Sequence, residues 1–147
     1  MGYRSDVSIL IYGDDADVVA FKASERLKGW KGTDRHPLDE PTNNNYHERF
    51  TWHTNDGDTM LEFNWFGIKW YDTYPEIAYW EQLKSLFEQA FPSLHMEFAR
   101  IGEQADDIVT EYLGNDCQYY LAIERNIYKD IPTKEKIQDE YLTKYNS

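Results

Sequence analysis

The sequence predicts a single α+β domain, an antiparallel sheet with helices on one face. Three observations support this: short segments of alternating apolar and polar residues, two segments with apolar residues at helical spacing, and a strong hairpin turn. A chain of 147 residues is long enough to bury a sizeable core as one domain. We assign residues 1–131 to this domain and residues 132–147 to a C-terminal tail or short helix.

The first strand and the first helix are expected before residue 31. Apolar residues alternate along residues 7–12 and end at Gly13, which predicts a strand. A helix should follow, because six apolar residues then form one stripe at spacings typical of a helix. They are Ala16, Val19, Ala20, Ala23, Leu27 and Trp30. Residues 31–45 are rich in Gly, Pro and Asn and predict a long loop.

A hairpin is predicted next. Residues 46–53 and 60–66 both alternate between apolar and polar side chains, which is typical of half-buried strands. The turn between them contains Asp56, Gly57 and Asp58, and Asp-Gly pairs tolerate the positive φ of tight turns. Gly67 interrupts the second strand and is expected to form a bulge.

A second helix begins near Thr73 and Glu76, which have the spacing of a capping box, and it should end before Pro92. Alternation along residues 94–99 predicts a fourth strand. We expect a short helix over residues 106–113 and a last strand over residues 118–123. The tail carries apolar residues four apart, at Ile137, Tyr141 and Tyr145, which favours a terminal helix.

The first six elements follow the order βαββαβ, which is the ferredoxin-like pattern. Strand order 4-1-3-2 is expected, with the fifth strand beside the fourth. Both helices then cover one face, and the other face is open unless the tail or a second copy of the chain covers it. This open face should present the following side chains: Leu10, Tyr12, His47, Arg49, Thr51, His53, Asn64, Phe66 and Tyr120.

The charge of the chain is −12 and unevenly distributed. Residues 50–124 hold 14 acidic and 3 basic residues, a net charge of −11. This field repels phosphate backbones, so the sequence argues against direct binding of nucleic acid or of an anionic membrane. Either the acidity keeps an aromatic-rich protein in solution, or it faces a basic partner.

Candidate partner-binding residues are the carboxylates of one acidic segment, because no basic residue occurs between Arg100 and Arg125. They are Glu103, Asp106, Asp107, Glu111 and Asp116, with Asp56 and Asp58 of the hairpin turn as second-rank contacts. If the segment is helical, Asp107 and Glu111 share a face, and their repulsion would be relieved by a cationic partner or a divalent ion.

Catalysis is not indicated. The sequence has no G-x-S-x-G, phosphate-binding loop, G-x-G-x-x-G or H-E-x-x-H motif. Cys117 follows Asp116, which would raise the pKa of its thiol. We therefore expect a non-enzyme without cofactor or metal. No apolar stretch approaches the roughly 20 residues of a membrane span, so a cytoplasmic protein is expected.

Three segments resemble small acidic proteins encoded by bacteriophages and prophages. They are residues 1–7 (MGYRSDV), residues 69–76 (KWYDTYPE), and residues 100–103 with 106–108 (RIGE and DDI). The resemblance implies a protein that acts inside a bacterial host cell. Small acidic proteins of that kind often occlude nucleic-acid-binding host proteins, including restriction and CRISPR effectors.

The leading hypothesis is a non-enzymatic protein that binds a basic, nucleic-acid-binding host protein and inhibits or modulates it by mimicking phosphate charge. One alternative is a small-molecule or nucleotide-binding domain that uses the open sheet face. Another is a homodimeric structural phage protein that uses the same face to self-associate.

Overall fold

The computed structural model describes residues 2–28, 36–39, 47–104, 106–114, 117–118, 120–123, 127–129 and 135–138. Most of the predicted loop over residues 31–45 lies outside these ranges, as do Asp116, Tyr119 and the end of the tail. No helix within the described residues is long and apolar enough to cross a membrane.

The described residues form an α+β structure with two α-helices. Its elements, in chain order, are β1 (Ser5–Asp14), α1 (Asp15–Leu27), a 3₁₀ turn (Pro37–Asp39), β2 (His47–His53), β3 (Asp58–Ile68), α2 (Pro75–Ala90), β4 (His95–Ile101), β5 (Ile108–Leu113), β6 (Leu121–Ile123), β7 (Ile127–Lys129) and β8 (Glu135–Gln138).

Six of the strands form one antiparallel sheet in the order β5-β4-β1-β3-β2-β8, and β6 pairs separately with β7. The sheet therefore differs from a simple four-stranded ferredoxin-like sheet, because β5 and β8 extend it at opposite edges. The predicted hairpin is confirmed, and so is the bulge, since the β1–β3 register shifts beside Gly67. Gly67 has φ +63°, which glycine adopts at little cost.

Three expectations for the second half of the chain were wrong. Residues 108–113 form a strand rather than a helix, and it is this strand that lies beside β4. The segment is rich in β-branched and aromatic residues, which favour strands. The segment expected beside β4 instead contributes β6 to the separate pair. Glu135–Gln138 lies in β8 and pairs with β2, where a terminal helix was expected.

The main core lies between the helices and one sheet face. Apolar side chains of the central strands, including Ile9, Phe63 and Phe98, pack there against Trp80 and Phe87 of α2. Helix α2 therefore exists as predicted. Its N-cap is Tyr74, with Pro75 opening the first turn and no side-chain cap bond, so the expected capping box does not form.

Helix α1 also forms, but its buried face is not the predicted stripe. Val18, Phe21 and Glu25 are buried, while Val19 is 59% exposed and Leu27 is 87% exposed. Glu25 is held inside by the hydroxyl of Tyr79, which donates to it at 2.8 Å. A pattern that counts only apolar residues cannot predict that a carboxylate is buried, because its burial depends on a hydrogen-bond donor from another element.

Strand β2 faces the opposite way from the prediction. His47 and Arg49 pair in register with Trp65 and Phe63 on the helix side, and both are buried. The His47 ring stacks on Trp65 at 4.8 Å between centroids. The guanidinium of Arg49 donates to the Leu38 carbonyl of the 3₁₀ turn. The sequence correctly predicted the alternation of β2 but placed His47 and Arg49 on the wrong face, because an arginine is not expected to be buried.

The sheet face opposite the helices is not open. Leu10, Tyr12, Trp52 and Met60 form a second core with Leu121 of β6. Tyr120 and Ile127 pack against its margin. The cover therefore comes from the β6–β7 pair and the residue before it. The middle of this sheet face is therefore covered, and it cannot serve as the open binding surface that the small-molecule alternative requires.

Candidate functional site

Two of the predicted partner-binding carboxylates are ion-paired inside the protein. The Arg100 guanidinium donates to both oxygens of Asp107, at 2.7 and 3.0 Å. These bonds, with one from Tyr3, hold the pKa of Asp107 below its ordinary value. The Lys84 ammonium lies 3.0 Å from Glu111. The segment between Arg100 and Arg125 contains no basic residue, and its carboxylates instead pair with Lys84 of α2 and Arg100 of β4.

Asp107 and Glu111 do not share a helical face, because Asp107 precedes β5 and Glu111 lies within it. Glu103 accepts the backbone N–H of Arg4 at 3.0 Å. Asp106 is exposed in the turn before β5. Asp116 lies outside the described residues. The predicted cluster is thus divided between internal contacts and open surface.

The second-rank residues Asp56 and Asp58 lie in a different environment, which we call the acidic turn end. It consists of Asp14, Asp15, Asp56 and Asp58, where the start of α1 meets the β2–β3 turn. Asp14 and Asp58 are directly opposite in the β1–β3 ladder. Among the described residues, no lysine or arginine forms an ion pair with these four carboxylates.

One carboxylate of the acidic turn end, Asp58, has a shifted pKa. Partial burial raises the pKa of Asp58 above its ordinary value, and contact with Asp14 raises it further. Directly opposed like charges in a sheet are destabilising. The protein therefore keeps an unfavourable pair of like charges, Asp14 and Asp58, on a surface where Asp14, Asp15 and Asp56 are exposed.

We expect Asp58→Asn to stabilise the protein at pH 7 by about 0.5 kcal/mol, or about 1–2 °C in Tm. With a folded-state pKa above the unfolded value, the favourable contribution of Asp58 is present below about pH 4 and lost as pH rises through the folded-state pKa. The gain should therefore disappear at pH 3. Thermal unfolding followed by circular dichroism at both pH values measures this. An equal shift at both would contradict the repulsion.

A concave feature, which we call the edge groove, lies on the helix side of β4 and β5. It has a volume of about 690 Å³ and is bordered by Tyr3, by residues 70–73 and by the first half of α2. It exists because two helices, each roughly 10 Å wide, do not cover a sheet of six strands spaced about 4.8 Å apart. The β5 edge is thereby left partly uncovered.

The floor of the edge groove is organised around Lys84, whose side chain is only 7% exposed. Its ammonium lies 3.0 Å from Glu81 Oε2 and 3.0 Å from Glu111 Oε1. It also lies 3.6 Å from the centre of the Phe98 ring, a close cation–π contact. The ammonium of Lys84 therefore interacts with two carboxylates and one aromatic ring of the protein itself.

Aromatic side chains form the rim of the edge groove. The indole of Trp70 donates to Glu81 at 3.0 Å. The Tyr71 hydroxyl accepts the backbone N–H of Tyr3 at 2.6 Å, and the Tyr3 hydroxyl accepts that of Gln104 at 2.9 Å. These bonds tie the N-terminal segment to the groove and keep the rings in place.

Two buried carboxyl groups lie on the opposite sheet face, flanking Leu10 in register. Glu62 accepts bonds from the Trp52 indole at 2.7 Å and from Asn64 at 2.9 Å. Glu97 accepts bonds from the Tyr12 hydroxyl at 2.6 Å and from the backbone of Leu121 at 2.9 Å. Glu62 therefore connects side chains of β2 and β3, and Glu97 connects β4 to Tyr12 of β1 and to the start of β6.

Neither a reactive thiol nor a metal centre is evident in the described residues. Cys117 is buried, and burial raises the pKa of its thiol. Its sulfur contacts backbone carbonyls of Leu113 and Gly114. No group of three or more His, Cys, Asp or Glu side chains in this part of the chain is arranged to hold a metal ion.

Sequence reasoning missed Lys84 and Arg100 as site residues. The available signal was that they are two of only three basic residues in the acidic stretch of residues 50–124. A cation retained in so acidic a segment is a candidate for an internal ion pair. Its partner could not be named, because Lys84 and Glu111 are 27 positions apart.

The fold and the two surfaces define the chain as an α+β protein with an extended antiparallel sheet, an acidic turn end and a charged, aromatic edge groove. No protein-family model matches this chain, and no curated protein or solved structure shows significant similarity to it.

Proposed function

We propose that this protein is a non-enzymatic, phage-type protein that binds a basic, nucleic-acid-binding protein of a bacterial host and inhibits it by charge mimicry. The observation that carries the proposal is the acidic turn end. Its four carboxylates have no ion-pairing cation among the described residues, and partial burial, followed by the like charge of Asp14, raises the pKa of Asp58. A cationic partner would relieve that repulsion.

The contacts of the acidic cluster change which residues carry the proposal. Asp107 is paired with Arg100, and Glu111 shares the ammonium of Lys84 with Glu81, so these two carboxylates already have cationic partners within the protein. Asp56 and Asp58, ranked second from the sequence, become the first-rank contacts. Exposed carboxylates of this kind accept charge-assisted bonds from arginine and lysine, bidentate where the geometry allows.

The long-range field supports the same proposal. A net charge of −12 attracts basic surfaces and accelerates encounter with them. A surface that normally binds nucleic acid is rich in lysine and arginine. The resemblance of three segments to bacteriophage proteins supports the choice of a bacterial partner.

We also propose that the domain is an elaborated ferredoxin-like fold. In support, β4, β1, β3 and β2 are neighbours in that order, and α1 and α2 follow β1 and β3 in the chain. On this proposal β5 and β8 are additions to the two edges.

The proposal is tested by capture of proteins from a bacterial lysate on the immobilised chain. We expect a nucleic-acid-binding protein to be retained, and to be released by double-stranded DNA and by rising salt. In Asp56→Asn/Asp58→Asn its affinity should fall roughly tenfold to a hundredfold, because two charge-assisted contacts are lost. The captured protein's own nucleic-acid binding should fall when the parent chain is added.

A matched control is Glu48→Gln/Glu88→Gln, which removes the same charge from exposed positions away from the acidic turn end. It should keep most of the affinity. Because Asp58→Asn is expected to stabilise the fold, unfolding would not explain a loss. Affinity that does not change with salt, or that falls equally in the two double variants, would overturn the proposal.

A further inference from the structure

We propose that the edge groove is a binding site for an arginine side chain of a basic protein. This inference extends the proposed function and rests on it, because the proposed function supplies the basic partner. The chemistry of the groove itself can be tested separately, with a small cation.

Charge complementarity favours a cation. The groove is lined by four carboxylates, namely Asp72, Glu81, Asp107 and Glu111, and by two cations, Lys84 and Arg100. Its formal charge is therefore −2. Both cations are occupied: Lys84 lies between two carboxylates and an aromatic ring, and Arg100 is bidentate to Asp107. An anionic ligand would find no free positive charge there.

The unused hydrogen-bonding capacity of the groove consists of acceptors. Glu81 uses Oε2 for both Trp70 and Lys84, and Glu111 uses Oε1 for Lys84. Their other oxygens form no bond with a described residue, and both side chains are 38% exposed. Asp72 is exposed at the rim. A ligand that satisfies these oxygens must be rich in donors.

Aromatic rings determine which cation fits best. Tyr3, Trp70 and Tyr71 stand beside these carboxylates, held by the bonds described above. A guanidinium is planar, carries five N–H donors and stacks on aromatic faces, whereas an ammonium is a compact and strongly hydrated point charge. The combination of carboxylate oxygens and rings is therefore better matched by arginine than by lysine.

The test uses N-acetyl-arginine amide as the probe and the indole N–H signal of Trp70 in a ¹⁵N NMR spectrum as the readout. The signal is assigned by its loss in Trp70→Phe. We expect a saturable shift with a Kd of about 1 mM, as for a small ligand of few contacts. N-acetyl-citrulline amide, the neutral isostere, should cause no shift, and N-acetyl-lysine amide should bind about three- to tenfold more weakly.

Two variants make the test specific. Asp72→Asn removes an exposed carboxylate of the rim and should weaken arginine binding about three- to tenfold. Asp56→Asn removes the same charge at the acidic turn end and should leave it unchanged. The groove assignment is overturned if citrulline shifts the signal equally, if inorganic phosphate binds instead, if no probe moves it, or if the two variants weaken binding equally.

The outcomes separate the two proposals. If lysate capture and its salt dependence persist while Trp70 does not respond to arginine, the groove assignment is wrong and the proposed function stands. If Trp70 responds to arginine but no nucleic-acid-binding protein is captured, the groove binds a cation and the proposed function is wrong.

Discussion

Replacement of Glu97 by alanine is expected to lower the free energy of unfolding by about 3 kcal/mol. Glu97 has no exposed surface, and it accepts bonds from the Tyr12 hydroxyl and the Leu121 backbone N–H. The alanine variant leaves both buried donors without an acceptor and opens a cavity. Burial and the bond to Glu97 raise the pKa of Tyr12, so its hydroxyl remains a donor throughout the accessible pH range.

Urea denaturation measures this loss, and a double-mutant cycle with Tyr12→Phe isolates the bond. Tyr12→Phe should cost about 1 kcal/mol more in the parent than when Glu97 is already replaced. The hydroxyl also accepts the Gln118 backbone N–H at 2.8 Å, and the loss of that bond is common to both backgrounds and cancels in the cycle. Glu97→Gln keeps one acceptor oxygen and should cost less than Glu97→Ala. Strict additivity of the two substitutions would show that the pair does not act as a unit.

The second large effect is expected at Gly114, where alanine should cost about 3 kcal/mol. Gly114 has φ +100°, in the left-handed region that non-glycine residues rarely adopt. A Cβ atom would also lie 2.7 Å from the backbone carbonyl oxygen of Leu94, which cannot move aside as a side chain could. The position directly follows β5.

Gly67→Ala is the matched control, because Gly67 also has a positive φ but has open space around the site of a Cβ. It should cost about 1 kcal/mol from backbone strain alone. Chemical denaturation of both variants then measures how much the close approach to Leu94, together with the less favourable φ of Gly114, adds to the cost of an ordinary left-handed position. Equal losses would show that the close approach at Gly114 is relieved by a small shift of the backbone.

The secure sequence predictions were those in which one local pattern determined an element. Helix α2 followed from its apolar spacing between Pro75 and Pro92, and the β2–β3 hairpin followed from the turn at Asp56 and Gly57. Residues 106–113 were misassigned as a short helix ending at Gly114, whereas Ile108–Leu113 forms a strand. The β-branched residues Ile108, Val109 and Thr110 were the stronger signal, because such residues favour strands.

The candidate sites were predicted less well than the fold. Asp56 and Asp58 were ranked second because a hairpin turn by itself explains their presence, and their role in binding a partner stays a prediction. Asp107 and Glu111 were ranked higher because the local sequence contains no cation. Their partners Arg100 and Lys84 come from other elements, and only the packing of α2 and β4 against β5 brings these charges within 3.0 Å.

The sequence by itself determined which segments form regular structure over much of the chain, the position of the tight hairpin and the acidity of the surface. These properties depend on local periodicity, turn chemistry and composition, which are all readable without neighbours. Only the tertiary structure decided which face of α1 is buried and which face of β2 packs against the helices. It also decided that Glu62 and Glu97 lie inside the protein. Burial of a polar group depends on partners distant in the sequence, and those partners come together only when the chain folds.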